Sequence, residues 1–172
     1  MPNENSLNPV RAVVVDATPL ISLDCCGQLE FLRSLYTRVI IPEAVQAELR
    51  CGGSTGLPFG LIPAHLEWME VLPLNSPLSS ELLSQLDDGE ASVIALALEQ
   101  NIDEVLIDEN LGRTVARMNG LKVFGTIAIL LRAKRKGILG EIGSCIQTMR
   151  SKGVYLSSGL IAGALKEAGE EG

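Results

Sequence analysis

Four carboxylates, Asp16, Glu48, Glu90 and Asp108, stand at positions from which they could share one site. Other reactive side chains are scarce. The single histidine, His65, is too little for most zinc sites and for Ser-His-Asp catalysis, which need several imidazoles or one well-supported base. The cysteines, Cys25, Cys26, Cys51 and Cys145, form no CxxC pair, and two are adjacent, a pattern that suits reduced thiols rather than a disulfide framework. Two carboxylates about 5 Å apart at an effective dielectric of about 20 repel by about 3 kcal/mol, so a converging tetrad needs protons or a cation. An all-oxygen donor set selects a hard ion, Mg²⁺ or Mn²⁺. Such an ion activates water and neutralises charge developing on phosphorus oxygens, so the chemistry implied is phosphodiester hydrolysis. Taken singly, each acid has a plainer role: Asp16 in a turn, Glu48 on a solvated helix face, Glu90 against a helix dipole, Asp108 as a cap. The joint pattern is what argues for a site.

Each acid is placed by an element. The β-branched run from Arg11 to Val15 suits a strand buried on both faces and ends in Asp16. A helix opening at Thr18 and Pro19 follows, broken at Gly27 before a second helical piece through Leu35. A strand over Arg38 to Ile41 leads through Pro42 into a helix from Glu43 to Arg50, which carries Glu48. A Gly-rich, Pro-containing stretch to Pro63 is the longest loop. Met69 to Leu74 is extended, and Ser79 or Ser80 caps a short helix to Leu86. Asp87 or Asp88 caps a helix from Glu90 to Gln100, apolar on nearly all sides. A strand over Val105 to Ile107 ends in Asp108, followed by a helix from Leu111 to Asn119, closed by Gly120. Leu121 to Phe124 is a strand, Thr126 caps a helix to Lys136, and helices over Glu141 to Lys152 and Ser158 to Ala168 finish the chain.

This alternation predicts a three-layer α/β/α domain with a central, mainly parallel sheet. Such sheets carry their sites at the carboxyl ends of the strands, where Asp16 and Asp108 stand. With 172 residues, 47% of them hydrophobic, there is material for one core. The division expected is a flexible tail over 1–10, a catalytic domain over 11–137 and a C-terminal helical extension over 138–172 packed on it.

Charge sets limits. Lys and Arg number 14 against 21 Asp and Glu, a net −7, which excludes tight, indiscriminate binding to polyanions. The six aromatics, Phe31, Tyr36, Phe59, Trp68, Phe124 and Tyr155, are scattered and make no base-stacking platform. No segment approaches the roughly 18 apolar residues needed to cross a bilayer, so a cytoplasmic protein with no membrane partner is expected. Arg132, Lys134, Arg135 and Lys136 either complement a helix dipole or contact phosphate, while Arg113 and Arg117, one turn apart, either contact a nucleic-acid backbone or pair with acids. The stretch from Gly52 to Gly60 lacks phosphate-loop spacing and reads as a flexible connector. Glu109 and Asp87 read as capping or exposed, and Asp103, Glu104, Glu167, Glu170 and Glu171 as solvated. Leu160, Ile161 and Leu165 recur at helical spacing and pack on the domain or on a partner.

The segment VVVDATPLISL at Val13 to Leu23 resembles the opening of PIN-domain nucleases. RVIIPEAVQAEL at Arg38 to Leu49 resembles that family's second strand and the helix bearing its second acid. LDDGEASVIALALE at Leu86 to Glu99 and VLIDENLGRTVA at Val105 to Ala116 resemble its third and fourth motifs, and the order is the expected one. The match is closest to an uncharacterised branch of VapC-like proteins in bacteria and archaea. The resemblance implies a metal-dependent endoribonuclease, the toxin of a type II toxin-antitoxin pair, with an RNA substrate, an antitoxin protein partner and a homodimeric state. It implies Asp16, Glu48, Glu90 and Asp108 as catalytic acids, Asp16, Glu90 and Asp108 as metal ligands, and Thr18 as the hydroxyl supporting Asp16. Glu90 takes a place commonly held by Asp, and Asn110 stands where many relatives have a second acid. One tight metal site and one completed by substrate is therefore expected. Two alternatives remain: a noncatalytic module of the same fold that binds nucleic acid or protein, and a phosphate-ester hydrolase with an aspartyl nucleophile, for which Thr18 replaces the usual second Asp.

Overall fold

A run of residues without polar side chains, Ala12–Val15, forms β1, and all three valines are fully buried. The structure, a computed structural model, describes residues 11–51 and 66–170. The expected tail over 1–10, the Gly-rich connector, Phe59, His65 and Glu171 lie outside those residues. β1 is joined by β2 (Arg38–Pro42), β3 (Glu70–Leu72), β4 (Glu104–Leu106) and β5 (Lys122–Phe124) in the order β3-β2-β1-β4-β5. All four pairings are parallel, so the sheet is fully rather than mainly parallel among the described strands. Strand order reverses between β1 and β4: Val14 pairs with Ile40 on one side and Val105 on the other. The Asp16 N–H continues that seam, donating to the Leu106 carbonyl at 3.0 Å.

Helices flank the sheet: α1 (Ala17–Cys25), α2 (Phe31–Leu35), α3 (Glu43–Arg50), α4 (Ser80–Leu83), α5 (Asp88–Glu99), α6 (Asn110–Met118), α7 (Thr126–Arg135), α8 (Ile142–Ser151) and α9 (Ser158–Ala168). α5 is apolar nearly all round because it lies against β1, β2 and β4 and touches α3, α4 and α6. Its Ile94 and Leu96 are fully buried, each side chain contributing up to about 3 kcal/mol of hydrophobic stabilisation. α7 packs with α2, α8 and α9, and α8 also meets α1. Gly120, at φ +81°, closes α6 and lets the Leu121 N–H reach the Ala116 carbonyl at 3.1 Å. All four cysteines are free thiols, and no helix among the described residues is long and apolar enough to cross a membrane.

Three readings of the sequence are corrected. Glu104 is not a solvated charge: at the amino end of β4 it accepts from Arg11 at 2.9 Å, the Tyr36 hydroxyl at 3.0 Å and Arg132 at 3.2 Å. A half-buried carboxylate with three donors is compensated for its desolvation. Glu170 is likewise engaged, accepting from the Ile142 and Gly143 N–H groups at 2.7 and 2.8 Å and from Lys134 at 2.6 Å. It caps α8 from 28 residues away, beyond any local capping pattern. Thr126 is the first residue of α7 rather than its cap, which is Gly125.

Candidate metal centre at the carboxyl ends of the strands

Asp16 follows the last residue of β1 and is the N-cap of α1, 4% exposed. Burial pushes its carboxyl up to about 8, opposed by the Ala17 N–H and reinforced by the negative charges of Glu48, Glu90 and Asp87. Glu48 reaches the same place from α3 because β2 ends in Pro42, which is the N-cap of that helix and leads it off from the strand end. The meeting point is Gly89, in the first turn of α5. From the position a Cβ there would occupy, Glu48 Oε2 is 3.0 Å, Asp87 Oδ1 3.4 Å and Asp16 Oδ1 3.7 Å away. Three carboxylates from three elements thus share the space that glycine leaves open.

Glu90, the next residue, is 8% exposed. Its N–H donates to Asp87 Oδ1 at 2.8 Å, which makes Asp87 the N-cap of α5. Burial, then Asp87, Glu109 and Glu48, push the Glu90 carboxyl up to about 7. Glu90 Oε1 is buried with no hydrogen-bond partner and lies against Gly112 of α6. A buried carboxylate oxygen without a hydrogen-bond partner is a candidate oxygen ligand.

Asp108 stands two residues past β4 and is held differently. Its Oδ1 accepts the Thr126 N–H at 2.7 Å and its Oδ2 the Thr126 hydroxyl at 2.6 Å. Burial raises its pKa, and the Thr126 bonds and the positive charge of Arg113 oppose that rise. The groups that tune Asp108 are therefore Thr126 and Arg113 rather than the other three acids.

The donor set fits a hard divalent cation. All donors are oxygens, one buried oxygen lacks a partner, and Gly89 leaves room among three carboxylates. Among the described residues no three His, Cys, Asp or Glu side chains close into a ready-made cage. An ion here would complete its shell with water and phosphate oxygens, as Mg²⁺ commonly does.

Of the residues singled out from the sequence, Asp16 and Glu48 come together over Gly89, Glu90 is near enough to add its negative charge to theirs but turns its Oε1 to Gly112, and Asp108 lies one strand over in its own setting. Thr18 is half-buried in the first turn of α1, and its hydroxyl makes no hydrogen bond among the described residues. Asn110 is exposed at the start of α6. Arg113 and Arg117 differ: Arg113 is half-buried and donates to the Ile107 carbonyl at 3.0 Å, whereas Arg117 is exposed. The basic cluster is committed to the fold, with Lys134 on Glu170, Arg135 on Glu167 and Arg132 on Tyr36 and Glu104. Lys134 and Arg135 are thus ion-paired to the C-terminal segment, Lys134 half-buried and Arg135 exposed. Asp87 and Thr126 are the functional candidates the sequence undervalued. The N-cap position of Asp87, three residues before Glu90, was the one local signal for the first.

A family model described as a PIN domain matches residues 12–170. No curated protein matches. Among solved structures, a domain of a functionally unknown protein from Methanocaldococcus jannaschii is 21% identical, with a TM-score of 0.43, over 67% of this chain and 90% of that one.

Proposed function

The chain belongs to the PIN-domain family, whose members are generally metal-dependent nucleases, and from that premise we propose that it hydrolyses RNA phosphodiester bonds. Mg²⁺ or Mn²⁺ would be held by Asp16, Glu48 and Glu90, with Asp108 at the edge of the site. The observation that carries this reading is the convergence of Asp16, Glu48 and Asp87 over Gly89 beside the unpartnered Glu90 Oε1. When bound, the ion supplies a stronger water nucleophile and neutralises charge on the phosphoryl oxygens.

The protein's part is positioning and proton bookkeeping. Without a cation, Asp16 retains its proton near neutral pH, because burial and three neighbouring acids disfavour its anion. Asp16 would have to give up that proton to serve as a ligand for a cation. Glu90 is buried, with its Oε1 unpartnered and held against Gly112. Arg117, exposed one turn beyond Arg113, is proposed as a contact to the RNA backbone. Through the VapC-like resemblance, a toxin role, an antitoxin partner and a homodimer form part of the same proposal.

The test is cleavage of single-stranded RNA with Mg²⁺ or Mn²⁺ against EDTA. D16N is expected to abolish cleavage while keeping the circular dichroism spectrum; unchanged cleavage by D16N sinks the assignment. The lack of a closed carboxylate cage among the described residues favours one other reading, a binding module without hydrolysis. Absence of both cleavage and divalent stabilisation would establish it.

A further inference from the structure

The guanidinium of Arg113 and the carboxylate of Asp108 both reach the space beside Gly125, without bonding each other directly. From the position of a Cβ on Gly125, Arg113 Nη1 is 2.7 Å and Asp108 Oδ1 2.8 Å away, both too close for any side chain there. The backbone does not explain the glycine, because φ −117° and ψ 177° are open to every residue. What Gly125 provides is space between the two charged groups. Arg113 is fixed from behind, its Nη1 bonded to the Ile107 carbonyl at 3.0 Å, one residue before Asp108. On the far side, the Thr126 N–H and hydroxyl bond the two Asp108 oxygens at 2.7 and 2.6 Å.

We infer that Arg113, with Thr126 and across the bare Gly125, is a positioning residue that holds the Asp108 carboxylate in one orientation, rather than a contact to nucleic acid. Guanidinium suits the role: its fork can hold the Ile107 carbonyl and still present charge to a carboxylate, which the single ammonium of lysine does less well. The arrangement also accounts for the half-burial of Arg113, which leaves it poorly placed to reach a phosphate backbone, while the neighbouring Arg117 is fully displayed. The consequence for cation affinity rests on the proposed function; the clamp itself does not.

Two readouts separate the clamp from the metal reading. The first is the Thr126 amide proton, which lies on a carboxylate oxygen and so resonates downfield and exchanges slowly in ¹H–¹⁵N spectra. R113Q and G125A are each expected to move it upfield and speed its exchange about tenfold, R113K to restore part of the shift, and R117Q to leave it in place. If Thr126 is unmoved in both R113Q and G125A, the clamp is wrong, whatever the protein does with metal. The second is titration of each protein with Mn²⁺ alone, followed by calorimetry. Loss of a supporting partner typically weakens a metal site about 10- to 100-fold, and about tenfold is expected for R113Q, with partial recovery in R113K. Simple charge removal predicts the opposite, tighter Mn²⁺ binding by R113Q and wild-type binding by R113K, and that result would overturn the positioning role. Failure of the wild-type protein to bind Mn²⁺ would defeat the metal reading and leave the Thr126 result to decide the clamp.

Discussion

Glu90 Oε1 rests against Gly112 more closely than any side chain on that residue would tolerate, with the Ile107 Cγ2 methyl 3.1 Å from the same point. Replacing a helical glycine by alanine ordinarily gains about 1 kcal/mol of helix propensity. Here the added methyl would drive a buried carboxylate into packed surroundings, and overpacking costs about 1–3 kcal/mol. G112A is therefore expected to destabilise the protein by about 1 kcal/mol net, read as a lower urea midpoint at unchanged slope. A G112A protein more stable than the parent would mean that Glu90 swings freely.

Asp16 and Glu90 give a pH dependence opposite to that of ordinary salt-bridged acids. Their folded pKa values, about 8 and about 7, lie above the ordinary 3.8 and 4.5. Over that window the native state binds more protons than the unfolded state, so stability in EDTA falls as pH rises from about 5 to about 8. Asp108, also raised, acts in the same direction. Glu104 and Glu70 have lowered pKa values, and their contribution is lost only as pH falls below about 4.5, outside this window. Melting temperatures measured from pH 5 to 9 should decline, and D16N should flatten most of the slope. A rise in melting temperature across the window would contradict the burial of Asp16.

Cations should reverse that loss. Mn²⁺ at 100 times its Kd stabilises a folded protein by about 2.7 kcal/mol, provided it binds only the native state. The gain is expected to be large at pH 8 and small at pH 5, where protons compete for the same oxygens. Thermal shift with D16N and E90Q checks the location, since either substitution should remove most of the effect.

Glu170 and Lys134 should matter to stability and not to RNA. E170Q loses a charged partner for Lys134 and for the first N–H groups of α8, and charged hydrogen bonds contribute about 1.5–3 kcal/mol. Its urea midpoint should fall accordingly. R117Q, by contrast, should reduce the slope of RNA affinity against salt by about one unit with no change in stability. A loss of salt dependence in K134Q instead would assign the RNA contact to α7 rather than to Arg117.

Element types and their order were legible because they rest on local rules: β-branched runs, Pro42 opening a helix, Ser79 and Asp87 as caps, Gly120 closing α6. The strand-end positions of Asp16 and Asp108 followed from the same pattern, since a parallel sheet puts the next residue of each strand on one edge. What sequence could not decide was which charges meet. Glu104 and Glu170 were read as solvated and the basic cluster as complementing a helix dipole or contacting phosphate, but their partners lie 27 to 102 residues away and no spacing encodes them. The same holds within the site. Gly89, Gly112 and Gly125 matter for the volume they leave to Glu48, Glu90 and Asp108, a property of neighbouring elements rather than of their own backbone. Motif order alone would set the four acids as equals. Tertiary packing divides them, because Asp16 and Glu48 come together over Gly89 of α5 and Glu90 turns to Gly112 of α6, while the start of α7 claims both oxygens of Asp108 through Thr126.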